Sequence, residues 1–362
     1  MNSLHKLHQA GQSLWLDNIT RALLDEGGLQ RYIDEFAITG LTSNPSIFHG
    51  AIAGSDAYRA AIVASRAPDA EALFFELALD DLRRAADLFA PVHRRTHGID
   101  GWVSLEVSPL LADDANASVA AAMDLHRRAA RDNLFVKIPG TTAGCVAIEE
   151  ATFEGVPVNV TLLFSGRQLV AAAEAWMCGI ERRIAIGREP RVRSVLSLFV
   201  SRWDVAVAGQ VPVELHNRLG VAVAQRAYKD YLTLCATPRW RRLAEVGVAP
   251  QRLLWASTGT KDPKAPDTLY VEALAAPDTI DTMPEKTIRA FADHGKVGAP
   301  MARDGAAAAA ELQRFEQAGV NVDALAERLQ QEGKQAFDKS WRDLLAVLDG
   351  ERQRRASAGP AR

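Results

Sequence analysis

Most of the short apolar runs in the sequence carry a polar side chain, either within the run or at its end. These residues are Asp17, Asn44, Glu106, Lys137, Asn159, Thr161, Ser197 and Ser257. Val, Ile and Leu normally fill such runs, so a polar residue there needs a reason. A lysine and two carboxylates are the minimum set for chemistry in which an amine condenses with a ketone. The iminium so formed accepts electrons as a carbon–carbon bond breaks.

Lys137 is the sharpest candidate, because of nine lysines it alone lies inside a strand-like run, LFVKIPG. A low-dielectric site disfavours an ammonium, which is how a lysine becomes a nucleophile toward a carbonyl. The alternative is a lysine at a strand end that reaches solvent or pairs with a carboxylate. Asp17 and Glu106, which could share the same site, favour the nucleophile.

Neither a metal nor a cofactor is expected, because an iminium supplies the polarisation that a metal would otherwise provide. The eight histidines show no ligand spacing beside carboxylates or cysteines. His93 and His97 are four residues apart, but the polar stretch around them is typical of a solvated helix end. The three cysteines are too few and too scattered for a disulfide framework or a metal knuckle.

The apolar runs that hold these residues alternate with longer amphipathic stretches. Eight of the apolar runs are typical of β-strands. The runs span residues 13–19, 37–44, 101–109, 133–140, 156–165, 194–200, 252–259 and 269–280. An open doubly wound sheet usually stops at five to seven strands, whereas eight strands close into a barrel. The sequence therefore predicts a (β/α)8 TIM barrel, whose active site lies at the carboxyl ends of the strands.

The chain is longer than the roughly 250 residues that such a barrel needs. We expect the additional helices before strand 1, between strands 2 and 3, between strands 6 and 7, and after strand 8. One domain is predicted over residues 1–350, followed by a disordered tail over 351–362, which is polar and contains Gly and Pro.

Composition excludes several classes of partner. Lys and Arg number 42 against 45 Asp and Glu, a net charge of -3, and no basic stripe is present, which argues against a nucleic-acid binder. No apolar run approaches the roughly 20 residues that cross a bilayer. The first residues, MNSLHKLHQAGQ, lack the apolar segment of an export signal, so a cytoplasmic protein is expected.

Four motifs together resemble the transaldolase family of Schiff-base transferases. They are TSNPSIF (42–48), NLFVKIPGT (133–141), VNVTLLFS (158–165) and SLFVSRWD (197–204), and the resemblance extends from about Leu14 to Thr287. WASTGTKDP (255–263) and DTMPEKT (281–287) are similar to the longer bacterial branch of that family.

The resemblance implies a role for each candidate. Lys137 resembles the Schiff-base lysine, Asp17 the acid/base that acts on the C4 hydroxyl, and Glu106 the carboxylate that activates a water held by Thr161. The implied substrate-binding residues are Asn44 and Asn159 for the dihydroxyacetone unit, Ser197 and Phe199 for the pocket wall, and Arg202 and Ser257 for the phosphate.

The sequence departs from the better-known branch at the phosphate end. Where that branch has a second arginine, this chain has Gly259, and Lys261 two positions later is the candidate for the second charge. Simpler interpretations stay open for two other sites. Asn44 before Pro45 is also a good turn former, and Asn159 and Thr161 alternate as in any amphipathic strand.

The predicted function is transfer of a dihydroxyacetone unit between sugar phosphates in the pentose phosphate pathway. Two alternatives are an enzyme similar to fructose-6-phosphate aldolase, which releases free dihydroxyacetone, and a non-catalytic barrel that binds sugar phosphates. The familiar aldolase is much shorter than this chain, and a binding protein has no need of a buried amine between two carboxylates.

Overall fold

Eight parallel strands close into a barrel in which every strand pairs with its neighbours in chain order. The computed structural model describes residues 2–358. The strands are β1 Ser13–Asp17, β2 Ile38–Thr42, β3 Trp102–Glu106, β4 Leu134–Pro139, β5 Val158–Leu163, β6 Ser194–Phe199, β7 Arg252–Ala256 and β8 Ile280–Met283. The predicted (β/α)8 barrel is confirmed.

Sixteen α-helices surround the barrel in the described part of the chain. They are α1 Ser3–Gln9, α2 Arg21–Asp25, α3 Gly28–Phe36, α4 Pro45–Ala53, α5 Arg59–Ala64, α6 Ala70–Arg95, α7 Ala115–Ala129, α8 Thr142–Glu154, α9 Gly166–Ala185, α10 Ser201–Val207, α11 Leu219–Cys235, α12 Pro238–Glu245, α13 Leu269–Ala273, α14 Glu285–His294, α15 Ala306–Gln317 and α16 Val322–Ala358. Additional helices lie at all four expected positions. None of the helices in residues 2–358 is both long enough and apolar enough to span a membrane.

The prediction for the eighth strand was wrong in its position. Residues 269–280 were expected to form it, but the run begins with helix α13, Leu269–Ala273, and β8 starts only at Ile280. Tyr270, Val271 and Leu274 are buried together on one face of this helix. A turn at Pro277 and Asp278 then separates this helix from β8.

The end of the chain also differs from expectation. Helix α16 continues through residues 351–358, in the stretch where disorder was predicted, and residues 359–362 lie outside the described residues. Arg352 anchors this part of the helix, because its Nη2 donates to the carbonyl oxygens of Ala67 and Pro68.

The interior of the barrel is layered by the two-residue period of its strands. Trp15, Trp102 and Phe135 fill the amino-terminal layer, with the rings of Trp102 and Phe135 stacked 4.0 Å apart. Gly40 on β2 leaves room for this layer, because a Cβ there would lie 2.5 Å from Trp15 Cε2. Two positions further along β1, β3 and β4 the inward residues become polar. The strand period therefore separates an apolar floor from a polar mouth.

Helix α16 crosses the carboxyl end of the barrel. Gln330 Nε2 donates to the carbonyl oxygens of Gly140 and Leu162, both at 3.0 Å. Leu162 has a left-handed φ of 59° at an irregularity in β5, so its carbonyl is turned out of the regular ladder. Lys334 Nζ adds an ion pair with Asp113 at 2.6 Å. The helix is thereby fixed over the mouth.

Candidate active site

A pocket of about 240 Å³ opens at the carboxyl ends of the strands. Nine of the eleven residues predicted from the sequence line it: Asp17, Asn44, Lys137, Thr161, Ser197, Phe199, Arg202, Ser257 and Lys261. The other two, Glu106 and Asn159, are buried beneath the lining residues.

Lys137 is held by two oxygen atoms at the bottom of this pocket. Its Nζ donates to Glu106 Oε2 at 3.0 Å and to the Ser43 carbonyl oxygen at 2.9 Å. Glu106, Lys137 and Asn159 are register partners on β3, β4 and β5, so parallel pairing alone brings them side by side. The amine therefore combines fixed geometry with access to the pocket.

Both carboxyl groups of the site have pKa values raised above the ordinary range. For Glu106 burial is the main cause, and the Asp17 carboxylate adds to it, while the Lys137 ammonium acts in the opposite direction. For Asp17 burial is again the main cause, opposed by the hydrogen bond from Thr42 and by the charge of Lys137. Groups of this kind hold and release protons nearer neutral pH than free carboxylates do.

Asp17 is oriented by a short chain of hydroxyl groups. Thr42 Oγ1 donates to Asp17 Oδ1 at 2.7 Å, and Thr42 shares a second 2.7 Å hydrogen bond with Thr282 Oγ1. Because the Thr42 proton is used toward Asp17, Thr282 is the donor in the second bond. This arrangement fixes the carboxylate at the pocket wall.

The two polar side chains of β5, Asn159 and Thr161, differ in their hydrogen-bond partners. Asn159 is fully buried, with its Nδ2 donating to Ser104 Oγ at 3.1 Å and its Oδ1 accepting from Ser197 Oγ at 2.7 Å. Thr161 Oγ1 is buried and has no hydrogen-bond partner within the described residues. A buried hydroxyl without a partner that also lines the pocket is suited to hold a water or a substrate group.

Asn44 caps a helix and also lines the pocket, so the turn interpretation and the site interpretation are compatible. Its Oδ1 accepts from Ile47 N at 3.0 Å and so caps helix α4, where Pro45 occupies the first turn. The cap uses only the amide oxygen, and Asn44 still lines the pocket.

Three further residues that line the pocket carry a cationic or hydroxyl group. Arg202 lies over the Phe199 ring, with 5.3 Å between the guanidinium carbon and the ring centroid, and burial lowers its pKa. Ser257 has a left-handed φ of 58° and shares a 2.9 Å hydrogen bond with Ser201 Oγ. Lys261 is exposed at the rim, and its pKa is lowered by partial burial and by the charges of Lys286 and Arg202. This end of the pocket is suited to an anion.

Sequence reasoning missed several residues of the lining, among them Thr42, Ser46, Thr282 and Phe337. Thr42 lies in the motif TSNPSIF and Thr282 in the motif DTMPEKT, and their inward position follows from the two-residue period of the strands. Phe337 carries no such signal, because it belongs to an amphipathic helix far away in the sequence. No group of three or more His, Cys, Asp or Glu side chains in the described residues is arranged to hold a metal ion.

Comparison with known proteins gives a consistent result. The model of the family described as Transaldolase/Fructose-6-phosphate aldolase matches residues 14–348. A protein of Thiobacillus denitrificans named Transaldolase is 43% identical over 358 residues, covering 96% of this chain and 100% of its own. A Transaldolase of Arthrobacter sp. strain FB24 is 41% identical over 356 residues, covering 95% of this chain and 96% of its own. The chain therefore belongs to the transaldolase/fructose-6-phosphate aldolase family.

Proposed function

We propose that this enzyme transfers a dihydroxyacetone unit through a Schiff base on Lys137. The donors are sedoheptulose 7-phosphate or fructose 6-phosphate, and the acceptors are glyceraldehyde 3-phosphate or erythrose 4-phosphate. The observation that carries the proposal is the Lys137 amine, bonded to Glu106 at 3.0 Å, at the bottom of a pocket that Asp17 also lines. Placement in the pentose phosphate pathway follows from these substrates, and the cytoplasmic location stays a prediction.

The first step joins the amine to the C2 carbonyl of the ketose. Lys137 must lose a proton before its nitrogen can attack, and Glu106, already its hydrogen-bond acceptor, is the nearest base. The resulting carbinolamine loses its hydroxyl as water to give the iminium. Glu106 supplies the proton for that loss through a water held by Thr161, whose hydroxyl has no partner within the described chain.

The second step breaks the bond between C3 and C4. Asp17 removes the proton from the C4 hydroxyl, the electron pair of the C3–C4 bond moves into the iminium, and the shortened aldose leaves. The three-carbon enamine stays on Lys137 until an acceptor aldehyde adds to it by the reverse step. Asn44 binds the hydroxyls of this unit with the amide group not used for capping. Asn159 does so when its bond to Ser104 or Ser197 is exchanged for one to the substrate.

The phosphate group lies at the cationic side of the pocket. Arg202 supplies the main charge, Ser257 a hydroxyl, and Lys261 a second charge from the rim. Gly259 also lines the pocket and places no side chain beside this group.

One experiment tests both the mechanism and the type of reaction. Borohydride reduction in the presence of fructose 6-phosphate should trap an adduct that maps to Lys137. Turnover should require an acceptor aldehyde such as erythrose 4-phosphate. Release of free dihydroxyacetone at the same rate without an acceptor would instead favour the aldolase reaction. Failure to trap any adduct would favour a non-catalytic barrel.

A further inference from the structure

Arg202 is a largely buried cation without an anionic partner from the protein. Within the described residues no hydrogen bond or ion pair joins it to another side chain, although it lines the active-site pocket. The charge of Glu332 acts on the pKa of Arg202, but Glu332 pairs with Arg328 at 3.5 Å on the exposed side of α16. Something other than a carboxylate must therefore hold the guanidinium in place.

Two aromatic rings from different parts of the chain take that role. The guanidinium carbon lies 5.3 Å from the centroid of Phe199, at the end of β6, and 5.8 Å from that of Phe337, on α16. The two rings contact each other with centroids 6.4 Å apart and planes inclined at 62°. They form a corner whose ring faces attract the cation without neutralising it.

Gly333 lies one helical turn before Phe337 on the same face of α16. A Cβ at this position would lie 3.1 Å from Arg202 Nη1 and 3.0 Å from Leu162 Cδ2. A glycine in a helix interior is destabilising relative to alanine, so the position needs a reason. The close approach of the Arg202 guanidinium and of the Leu162 side chain provides one.

We propose that Phe337 and Gly333 are positioning residues that hold Arg202 in the orientation that binds the substrate phosphate. Arg202 lies just after β6, at the start of α10, and contacts with helix α16 determine the position of its guanidinium. The helix can do so because Gln330 and Lys334 fix it over the mouth. The inference rests on the proposed function in that the anion is the phosphate of a sugar phosphate.

The chain offers a matched pair of glycines for the test. Gly350 lies on the same helix, and a Cβ there would find only Arg354 Nη2, at 3.8 Å. G333A should raise the KM for fructose 6-phosphate about three- to thirtyfold and leave kcat nearly unchanged. G350A should change neither value. The melting temperature of G333A should stay close to that of wild type, because Arg202 and Leu162 need to move by only a few tenths of an ångström and alanine favours the helix.

A second pair of variants separates the effect of the Phe337 aromatic ring from the effect of side-chain volume. F337L should behave like G333A, whereas F337Y, which keeps a ring face, should stay close to wild type. With unphosphorylated fructose, kcat/KM should fall less in G333A and F337L than it does with fructose 6-phosphate. Equal losses for fructose and fructose 6-phosphate would indicate a general packing defect and overturn the inference.

Binding of inorganic phosphate, measured by calorimetry, gives a readout that does not depend on turnover. Weaker phosphate binding by G333A and F337L than by G350A would support the inference even if the wild-type protein proved inactive, an outcome that would refute only the proposed function. Equal phosphate affinity in the wild type, G333A and F337L would overturn the inference whatever the activity.

Discussion

The Lys137 Nζ atom donates to Glu106 Oε2 at 3.0 Å, and both side chains are less than a tenth exposed. Removing either partner from a buried ion pair leaves an uncompensated charge, so the resting site stabilises each group through the other. The same pairing gives the amine a base at hydrogen-bond distance. One contact therefore explains both how a lysine is tolerated inside the barrel and how it can lose its proton.

Replacement of Lys137 should abolish transfer and borohydride trapping together. We expect K137R to fail as completely as K137A, because a guanidinium stays protonated and cannot form an imine. Circular dichroism should show that K137R retains the fold. Mapping of a trapped adduct to Lys261 or Lys286 in the wild-type enzyme would contradict the assignment.

Variants of the two carboxylates should be blocked at different steps of the reaction. D17N should still form the imine but stall before cleavage, so that a reducible adduct accumulates. E106Q should slow formation of the imine itself and accumulate little adduct. Rapid-quench single-turnover experiments with borohydride measure the rate of imine formation and the amount of adduct that accumulates. The reverse pattern would exchange the two roles.

The strand period accounts for most of what the sequence predicted correctly. In an apolar run with alternating faces, a polar residue such as Lys137 must point into the barrel or among the helices, and parallel register then brings Glu106 beside it. The eighth strand was misplaced because the composition of residues 269–280 does not distinguish a short buried helix from a strand.

The contribution of α16 could not be derived in the same way. Phe337 meets Arg202 because the helix crosses the mouth of the barrel, and its direction is set by distant contacts such as that of Gln330 with Gly140. Local spacing also could not show that Asn159 lies below the pocket, because its partners Ser104 and Ser197 come from two other strands.

The amino-terminal end of the barrel is closed by a buried ion pair whose loss should affect stability alone. Arg252 Nη1 lies 3.3 Å from Asp100 Oδ1, and both side chains are nearly buried. D100N leaves the guanidinium without its counter-charge and should lower the free energy of unfolding by about 3–5 kcal/mol. D25N breaks the exposed pair with Arg84 and should cost less than about 1 kcal/mol.

Urea unfolding measures both effects, and kcat measured on the folded protein should be unchanged in each variant. A cost for D100N as small as that for D25N would show that the buried pair is not needed.

Asp281 should make stability depend on pH. It is fully buried on β8, accepts a 2.8 Å hydrogen bond from Thr258 Oγ1, and has its pKa raised by burial from 3.8 to about 7. Because the folded state holds the proton more tightly than the unfolded state, stability should fall as the pH rises from about 4 to about 7 and level off above that.

D281N resembles the protonated acid and should remove this dependence. At about 1.4 kcal/mol per pKa unit, we expect the variant to be more stable than wild type by up to about 4 kcal/mol at pH 8, and equal to it near pH 4. Urea unfolding at the two pH values provides the measurement. A constant difference between the proteins at both values would exclude titration of Asp281 as the cause.

Lys261 tests how the proposed phosphate group is held, at the end of the pocket where the sequence resemblance would place an arginine at position 259. A charged hydrogen bond is worth roughly 1.5–3 kcal/mol, and because Lys261 is exposed at the rim we expect the lower end of that range. K261A should therefore raise the KM for fructose 6-phosphate about tenfold and leave fructose unaffected. Lys264 lies in the same loop outside the pocket lining, so K264A is the control and should match wild type. If K261A and K264A have the same KM for fructose 6-phosphate, Lys261 is only a solvated loop residue, and Arg202 carries the charge alone.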